Sequence, residues 1–200
     1  MAWERLSHVE LSSAGDLIDS GTFTAKDNLK VIVKIINDGS VGSEVAFNSD
    51  TSESNYASRR SSDGGSDSTY ASTSNPYDYG FYTGRGDQSM NRYFVMNIAN
   101  ISDKEKPVIG QLMVSGGTGA SNAPSRTEFV AKWANTSSQI TSIQIKNNGS
   151  GSYNTGSYIT VLGASGDDIV TDEKTTITNV PVGTRYEETD TRKIYRKVTP

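Results

Sequence analysis

The sequence QITSIQIKNNGSGSYNTGSYITVLG, residues 139–163, contains the clearest strand signal of the chain. Apolar residues alternate in its two halves, Ile143 with Ile145 and Ile159 with Val161, and this period is typical of half-buried strands. The run between the halves is rich in Gly, Asn and Ser, which favour turns. The stretch therefore predicts a β-hairpin with a long tip. Because one hairpin is only marginally stable, further strands must pack on it.

The rest of the chain repeats this pattern of short strands and polar turns. Strands are predicted at residues 3–11, 21–24, 29–36, 45–48, 92–98, 107–114 and 126–133. The segment 29–36 is almost continuously apolar and β-branched, which is typical of a central strand covered on both faces. No helical period interrupts these segments. The predicted fold is all-β, an antiparallel β-sandwich of jelly-roll type with nine or ten strands over residues 3–163.

The composition changes after Gly163. Residues 165–181 are interpreted as a linker between a sandwich domain, residues 1–164, and a C-terminal β-hairpin arm, residues 182–200. The arm mixes basic and acidic residues, so paired strands would bring opposite charges together across the ladder. Its large apolar residues are too few to hold it alone. They are the predicted attachment contacts, Tyr186, Ile194 and Tyr195.

Charge and composition exclude several classes of protein. The net charge of −4 and the pI near 5.0 argue against nucleic-acid binding, which needs clustered Lys and Arg. The chain has no cysteine, which excludes a disulfide framework, a thiolate metal site and a Cys nucleophile. The N-terminus lacks the pattern of a secretory signal, and no apolar run is long enough for a membrane span. Synthesis in a cytoplasm is therefore expected.

Residues 49–80 are predicted to form a long polar loop rich in tyrosine. Long polar loops in compact domains are often functional. Their aromatic side chains could cover the sheet as a lid, lie in an interface or contact a ligand. The candidate surface and partner contacts are Tyr56, Tyr70, Tyr77, Tyr79 and Tyr82.

The chain lacks the usual catalytic patterns, which predicts a protein that is not an enzyme. Its single histidine, His8, lies inside the first predicted strand, and no partner motif of a Ser-His-Asp site accompanies it. Adjacent carboxylates such as Asp167 and Asp168 would point to opposite faces of a strand, so they are interpreted as solvated charge. No catalytic residue is therefore predicted.

No cofactor or metal is predicted, with calcium as the alternative. Asn48, Asp50, Asp63 and Asp67 place oxygen ligands, which calcium prefers, on polar turns. Because these residues match no calcium-binding repeat, ordinary turns are the preferred interpretation.

Several separated pieces of the chain resemble β-rich structural proteins of tailed bacteriophages and of related archaeal and environmental viruses. The pieces are Trp3-Glu4, Leu29-Lys30-Val31, the segment from Phe47 to Arg59 with Gly64-Gly65 after it, and residues 139–163. The tail from Gly183 to Tyr195 resembles a short module that recurs near the ends of phage virion proteins. The resemblance covers most of the chain. It implies a component of the virion that is made in the host cytoplasm.

From the residues and the resemblance we predict a non-enzymatic structural protein of a virus particle, as a capsid decoration protein or a tail- or fibre-associated subunit. Its expected partners are other virion proteins and copies of itself in a homo-oligomer, with a trimer favoured. The alternative is a carbohydrate-binding or host-receptor-binding β-sandwich that stacks loop tyrosines and Trp133 on a host surface glycan. A secreted sandwich hydrolase is the third hypothesis.

Overall fold

The computed structural model describes residues 3–37, 39–71, 80–86, 91–115, 118–165, 185–187 and 194–196. The chain divides into two compact units, one of residues 2–165 and one that contains residues 166–200. The first unit has a 3-10 turn at Glu53–Asn55 and, among its described residues, twelve strands. The strands are β1 (Glu4–Glu10), β2 (Leu17–Asp19), β3 (Asn28–Ile35), β4 (Val41–Phe47), β5 (Tyr56–Ser62), β6 (Ser68–Tyr70), β7 (Phe81–Gly86), β8 (Arg92–Ala99), β9 (Lys106–Val114), β10 (Ser125–Trp133), β11 (Ile143–Lys146) and β12 (Tyr158–Ala164).

Two antiparallel sheets form this unit. The large sheet has the strand order β1-β12-β3-β8-β9-β10-β5-β6, and the small sheet has the order β2-β11-β4-β7. Strand pairs nest within one another along the chain, since β1 pairs with β12 and β2 with β11, while β3 pairs with β8 and β4 with β7. The chain crosses repeatedly between the sheets, as in a jelly roll. The predicted all-β antiparallel sandwich is confirmed, although its described residues form twelve strands where nine or ten were predicted.

The core lies between the sheets because buried and exposed residues alternate along the strands. The alternation is strict in β9 and nearly so in β10. Strand β4 differs, because all seven of its residues are buried and both of its faces are covered. The prediction of two covered faces for segment 29–36 is wrong, because β3 is central but buried on one face only. Apolar residues from both sheets meet in the core, among them Val31, Val33, Phe94, Val161, Val45, Phe47, Ile143 and Ile145. The large sheet therefore keeps an open side, whereas the small sheet is covered along β4.

The predicted hairpin at residues 139–163 is wrong in its pairing, although both strands exist. Strand β11 lies in the small sheet beside β2 and β4, and β12 lies in the large sheet between β1 and β3. Two buried side chains hold the connection where it crosses between the sheets. Asn147 Oδ1 accepts a hydrogen bond from the Gly42 N–H at 3.0 Å, and the Tyr153 hydroxyl donates to the Gly42 carbonyl at 2.7 Å. Long-range hydrogen bonds, rather than a local turn, place the two strands.

Residues 49–80 contain β5 and β6, so the prediction of one long loop is wrong for this part. These strands are polar because they lie at an edge of the large sheet, whose outer side faces solvent. Before β5, Asp50 accepts hydrogen bonds from Trp133 Nε1 at 2.7 Å and from Asn55 Nδ2 at 2.8 Å. These bonds hold the turn against the core. The short strand predicted at residues 21–24 is instead β2, a few residues earlier.

In the second unit, the described residues form two short antiparallel strands, β13 (Arg185–Glu187) and β14 (Ile194–Arg196). This pair is the short C-terminal β-hairpin of the predicted fold class. Tyr186 is opposite Tyr195, and Arg185 is opposite Arg196. The register thus pairs like charges where opposite charges were expected. The predicted linker lies outside the described residues except for Ser165, and the attachment role of the arm stays a prediction.

Candidate functional site

The outward residues of the large sheet form a broad surface, which we call the outer face. The strand register arranges them in rows that cross the strands. The first row is Glu10, Tyr158, Lys34, Tyr93, Met113 and Arg126. The second row is His8, Thr160, Ile32, Val95, Gln111, Glu128 and Ser61. The third row is Arg5, Leu162, Lys30, Asn97, Ile109, Val130, Arg59 and Thr69.

Three adjoining depressions cross the outer face from β8 to β6 and form one trough. Their volumes are about 330, 330 and 400 Å³. Neighbouring depressions share lining residues, Gln111 and Glu128 at the first junction and Arg59 and Val130 at the second, so the trough is continuous. At about 4.8 Å per strand, the five strands span roughly 19 Å. The trough is long and open rather than an enclosed pocket.

Exposed apolar side chains line the trough. Ile109 is 64% exposed and its direct partner across the strands, Val130, is 48% exposed. Met113 and its partner Tyr93 are 41% and 40% exposed. Four of the seven exposed large hydrophobic residues of the described chain thus lie in this trough. Clustered exposure of this kind marks a binding surface, whereas single exposed residues need no explanation.

The outer face is basic although the chain is acidic overall. Its strands place six basic residues on this face, which are Arg5, Lys30, Lys34, Arg59, Arg126 and Lys132, and two acidic ones, Glu10 and Glu128. Asp67 and Glu105, in the adjoining loops, bring the acidic residues beside these cations to four. Since the whole chain has a net charge of −4, the acidic excess lies elsewhere. The outer face therefore attracts anions, and the outer faces of two copies of the chain would repel each other.

The cations of the trough have weak partners. Arg59 pairs with Asp67 at 3.1 Å, Lys132 with Glu105 at 2.8 Å, and Arg126 with Glu128 at 4.0 Å. All of these side chains are about half exposed or more, and exposed ion pairs of this kind contribute only about 0–1 kcal/mol. An incoming carboxylate can therefore replace these partners at little cost.

The tyrosines predicted as contact residues lie in different environments. Tyr56 is 2% exposed and its hydroxyl donates to the Asp50 carbonyl at 2.8 Å, so its prediction as a surface contact is wrong. Tyr70 is half-buried in β6, where Arg60 Nη2 donates to its hydroxyl at 3.1 Å. Tyr77 and Tyr79 lie outside the described residues. For Tyr82 only the backbone position in β7 is described.

Trp133 is a core residue rather than a sugar platform. It is 2% exposed, and its ring centroid lies 6.0 Å from that of Phe47. Its indole N–H is satisfied by Asp50. The predicted stacking of Trp133 on a glycan is therefore wrong. Trp133 stands at an inward position of β10, and the alternation of that strand could have indicated this.

His8 lies exposed on β1, at the edge of the outer face. Its Nδ1 is 2.8 Å from Thr160 Oγ1, and its ring centroid is 5.4 Å from that of Tyr158. A catalytic histidine is normally oriented by a carboxylate, whereas these neighbours are a hydroxyl and an aromatic ring. These contacts hold the Tyr158 ring in place, and neither of them would orient His8 as a general base.

Among the described residues, two buried side chains away from the outer face have shifted pKa values. Burial raises the pKa of Tyr153, whose hydroxyl donates to a backbone carbonyl. Burial lowers the pKa of Lys106, against the opposing effect of Asp103. The Lys106 ammonium donates to the carbonyls of Lys104 and, at 3.0 Å, Asn135. Both groups hold backbone carbonyls and neither lines the trough.

The predicted calcium ligands make other contacts. Asn48 Oδ1 accepts from the Thr141 N–H at 2.8 Å, and Asp63 Oδ1 accepts from the Arg126 N–H at 2.9 Å. Within the described part of the chain, no three His, Cys, Asp or Glu side chains are grouped so that they could hold a metal ion. Calcium binding stays untested.

In the part of the chain that the structure describes, no helix is both long and apolar enough to cross a membrane.

Sequence reasoning missed the outer face as a site. The alternation in residues 107–114 and 126–133 contained a signal, because Ile109, Met113 and Val130 fall at the positions that alternate with the core residues. In residues 126–133 the charged residues mark the set that faces solvent, but local sequence does not reveal which strands lie beside it. The cations come from four separate strands, β1, β3, β5 and β10, so only the register brings them together.

No family model and no curated protein matches this chain. A solved structure of the alginate lyase Aly36B, a mutant in complex with an alginate tetrasaccharide, is similar at a TM-score of 0.29 and 10% sequence identity, over 79% of this chain and 80% of that chain. The comparisons thus return a carbohydrate-active enzyme and no viral structural protein, and the predicted function as a virion structural protein is wrong. At this TM-score the similarity carries no argument for the activity of this chain. Virion localisation and trimeric assembly are tested by none of these findings.

Proposed function

We propose that the protein is a non-catalytic binding module whose trough on the outer face holds an extended acidic polysaccharide. One observation carries the proposal: a continuous trough combines exposed apolar side chains with Arg59, Arg126 and Lys132 on a chain that is acidic overall. Charge complementarity of this kind selects an anionic partner and raises its rate of association.

The chemistry of the trough matches a chain of uronic acids. The apolar C–H faces of sugar rings can pack on Ile109, Val130 and Tyr93, which are exposed there. Carboxylates can bind Arg59 and Arg126 in the two-point geometry that a guanidinium offers. The Gln111 amide, at the junction of two depressions, can both donate to and accept from hydroxyl groups.

The shape of the trough favours an extended ligand. Small molecules usually bind in pockets that bury most of their surface, and this trough is open along roughly 19 Å of sheet. Extended peptides usually add to a sheet edge through main-chain hydrogen bonds. The outer face offers side chains only, because the backbone of its central strands is already paired. A linear glycan is thus the ligand that the surface fits best.

Binding of polygalacturonate, a linear polyuronate, tests the proposal, with neutral dextran as the control polymer. Wild-type protein should bind polygalacturonate more weakly as salt is added, because exposed charges are screened. Arg59→Ala and Arg126→Ala should each weaken binding about tenfold, close to 1.4 kcal/mol. Lys104→Ala removes an exposed cation that is absent from the trough lining, so it is the matched control and should bind as wild type.

Three results would contradict the proposal. The first is no binding of polygalacturonate, or equal binding of dextran. The second is tighter binding of single-stranded DNA than of polygalacturonate, which would indicate a general polyanion site. The third is shortening of the polymer on incubation with the protein, which would show that the module is catalytic.

A further inference from the structure

The first row of the outer face continues past the end of the trough. Tyr93, in the trough, is the direct partner of Lys34 on β3, and Lys34 is the direct partner of Tyr158 on β12. Tyr158 therefore lies two strands beyond Tyr93, about 10 Å away at the usual strand spacing. None of the three depressions that form the trough includes Lys34 or Tyr158 in its lining.

Lys34 is a cation available to a ligand. It is partly exposed on β3, and within the described structure its side chain makes no hydrogen bond or ion pair. A lysine stem can lie along an apolar surface while its ammonium stays in water. Between two tyrosines of the same row, this ammonium can reach an anion bound over the sheet.

The Tyr158 ring is held by its neighbours. The His8 ring lies 5.4 Å from it, centroid to centroid, at an angle of 46°, and His8 Nδ1 is in turn 2.8 Å from Thr160 Oγ1. Tyr158 is partly exposed on the outer face, where a ligand can reach it. A ring that is already positioned loses little conformational entropy when a sugar packs on it.

We propose that Lys34 and Tyr158 form an additional subsite that extends the trough to β12 and binds the uronic acid units of long polysaccharide chains. This inference rests on the proposed function, because the same chain must already lie in the trough. Lys34 binds a carboxylate, and the Tyr158 ring packs on the next sugar. The complete site then spans from β12 to β6, roughly 29 Å at the usual strand spacing.

Oligogalacturonates of two lengths test the subsite. We expect octagalacturonate to bind wild-type protein at least about tenfold more tightly than tetragalacturonate. Tyr158→Ala and Lys34→Ala should each remove most of this gain and leave the affinity for the tetramer unchanged. Tyr158→Phe keeps the ring and should bind both oligomers as wild type. Lys104→Ala is the matched control for Lys34→Ala, and thermal unfolding of every variant checks that it is folded.

The outcomes separate this inference from the proposed function. If the octamer keeps its full gain in both Tyr158→Ala and Lys34→Ala, the subsite does not exist, while binding of the tetramer still supports the trough. If both variants weaken the tetramer and the octamer equally, the two residues belong to the primary site and the inference is overturned. If wild-type protein binds neither oligomer, the proposed function itself fails.

Discussion

Gly110→Ala should destabilise the sandwich, because the ring of Phe129 occupies the space in which a side chain at Gly110 would lie. Gly110 and Phe129 are direct partners across β9 and β10. A Cβ at Gly110 would lie 2.5 Å from Phe129 Cε2 and 2.8 Å from Cε1, and closer still to Cζ. Optimal carbon–carbon contacts are about 3.5–4.0 Å, so the ring would have to retreat by more than about 1 Å.

The ring of Phe129 has little freedom to retreat. Phe129 is 3% exposed, and its centroid lies 6.1 Å from that of Phe81. Overpacking a core of this kind destabilises the fold by about 1–3 kcal/mol. Replacing a glycine in a strand with alanine stabilises it by about 0.5–1 kcal/mol, because glycine loses more conformational freedom on folding. The free energy of unfolding should therefore fall by about 1–2 kcal/mol, and Tm should fall by about 2–4 °C for each kcal/mol.

Urea unfolding of Gly110→Ala measures this loss, and Gly15→Ala is the matched control, since no atom lies within 4 Å of a Cβ built at Gly15. Phe129→Leu removes the tip of the ring. In the double variant, the cost of Gly110→Ala should be smaller than in wild type, because contacting residues couple. An unfolding free energy unchanged in Gly110→Ala, or strict additivity in the double variant, would refute the packing argument.

Three further predictions concern stability. Asp50→Ala should lower the unfolding free energy by about 2 kcal/mol in urea titrations, because the buried Trp133 indole loses its hydrogen-bond acceptor. Asp67 is exposed, so in the control variant Asp67→Ala the unfolding free energy should change by no more than about 0.5 kcal/mol. Because burial raises the pKa of Tyr153 in the folded state, this tyrosine ionises first in the unfolded chain, and stability falls as the pH rises above the ordinary tyrosine pKa of 10.0. In Tyr153→Phe the unfolding midpoint should fall less at alkaline pH than in wild type. An equal fall in both proteins would contradict the assignment. Removing residues 166–200 should leave a sandwich with an unchanged midpoint in thermal unfolding, and a markedly lower midpoint would show that the sandwich needs them.

Local sequence predicted the fold class and most strand positions, because alternation reflects burial on one face of a sheet. The predicted segment 107–114 lies within β9, Lys106–Val114, and the predicted segment 126–133 lies within β10, Ser125–Trp133. The placement of β11 and β12 in different sheets could not be predicted, since Asn147 accepts a hydrogen bond from Gly42 and Tyr153 donates one to it, over 100 positions away. Local patterns contain no information on such distant partners.

The candidate site was less predictable than the fold. Aromatic residues were taken as the signal for a ligand surface, yet Tyr56 and Trp133 pack in the core because each stands at an inward position of its strand. Taken individually, the residues of the outer face are ordinary exposed strand residues. They form a basic trough only because the register aligns Arg59, Val130 and Ile109 across three neighbouring strands.

The central claim is that the trough on the outer face is the binding surface, and an NMR titration of isotope-labelled full-length protein with tetragalacturonate tests it most directly. The amide and side-chain signals of Tyr93, Ile109, Gln111, Arg126 and Val130, which line the trough, should shift progressively as the tetramer is added. Signals of the small sheet, such as those of Val45 and Ile145 in the core, should stay in place. Shifts confined to the small sheet or to residues outside the trough, or no shifts at all, would contradict the account.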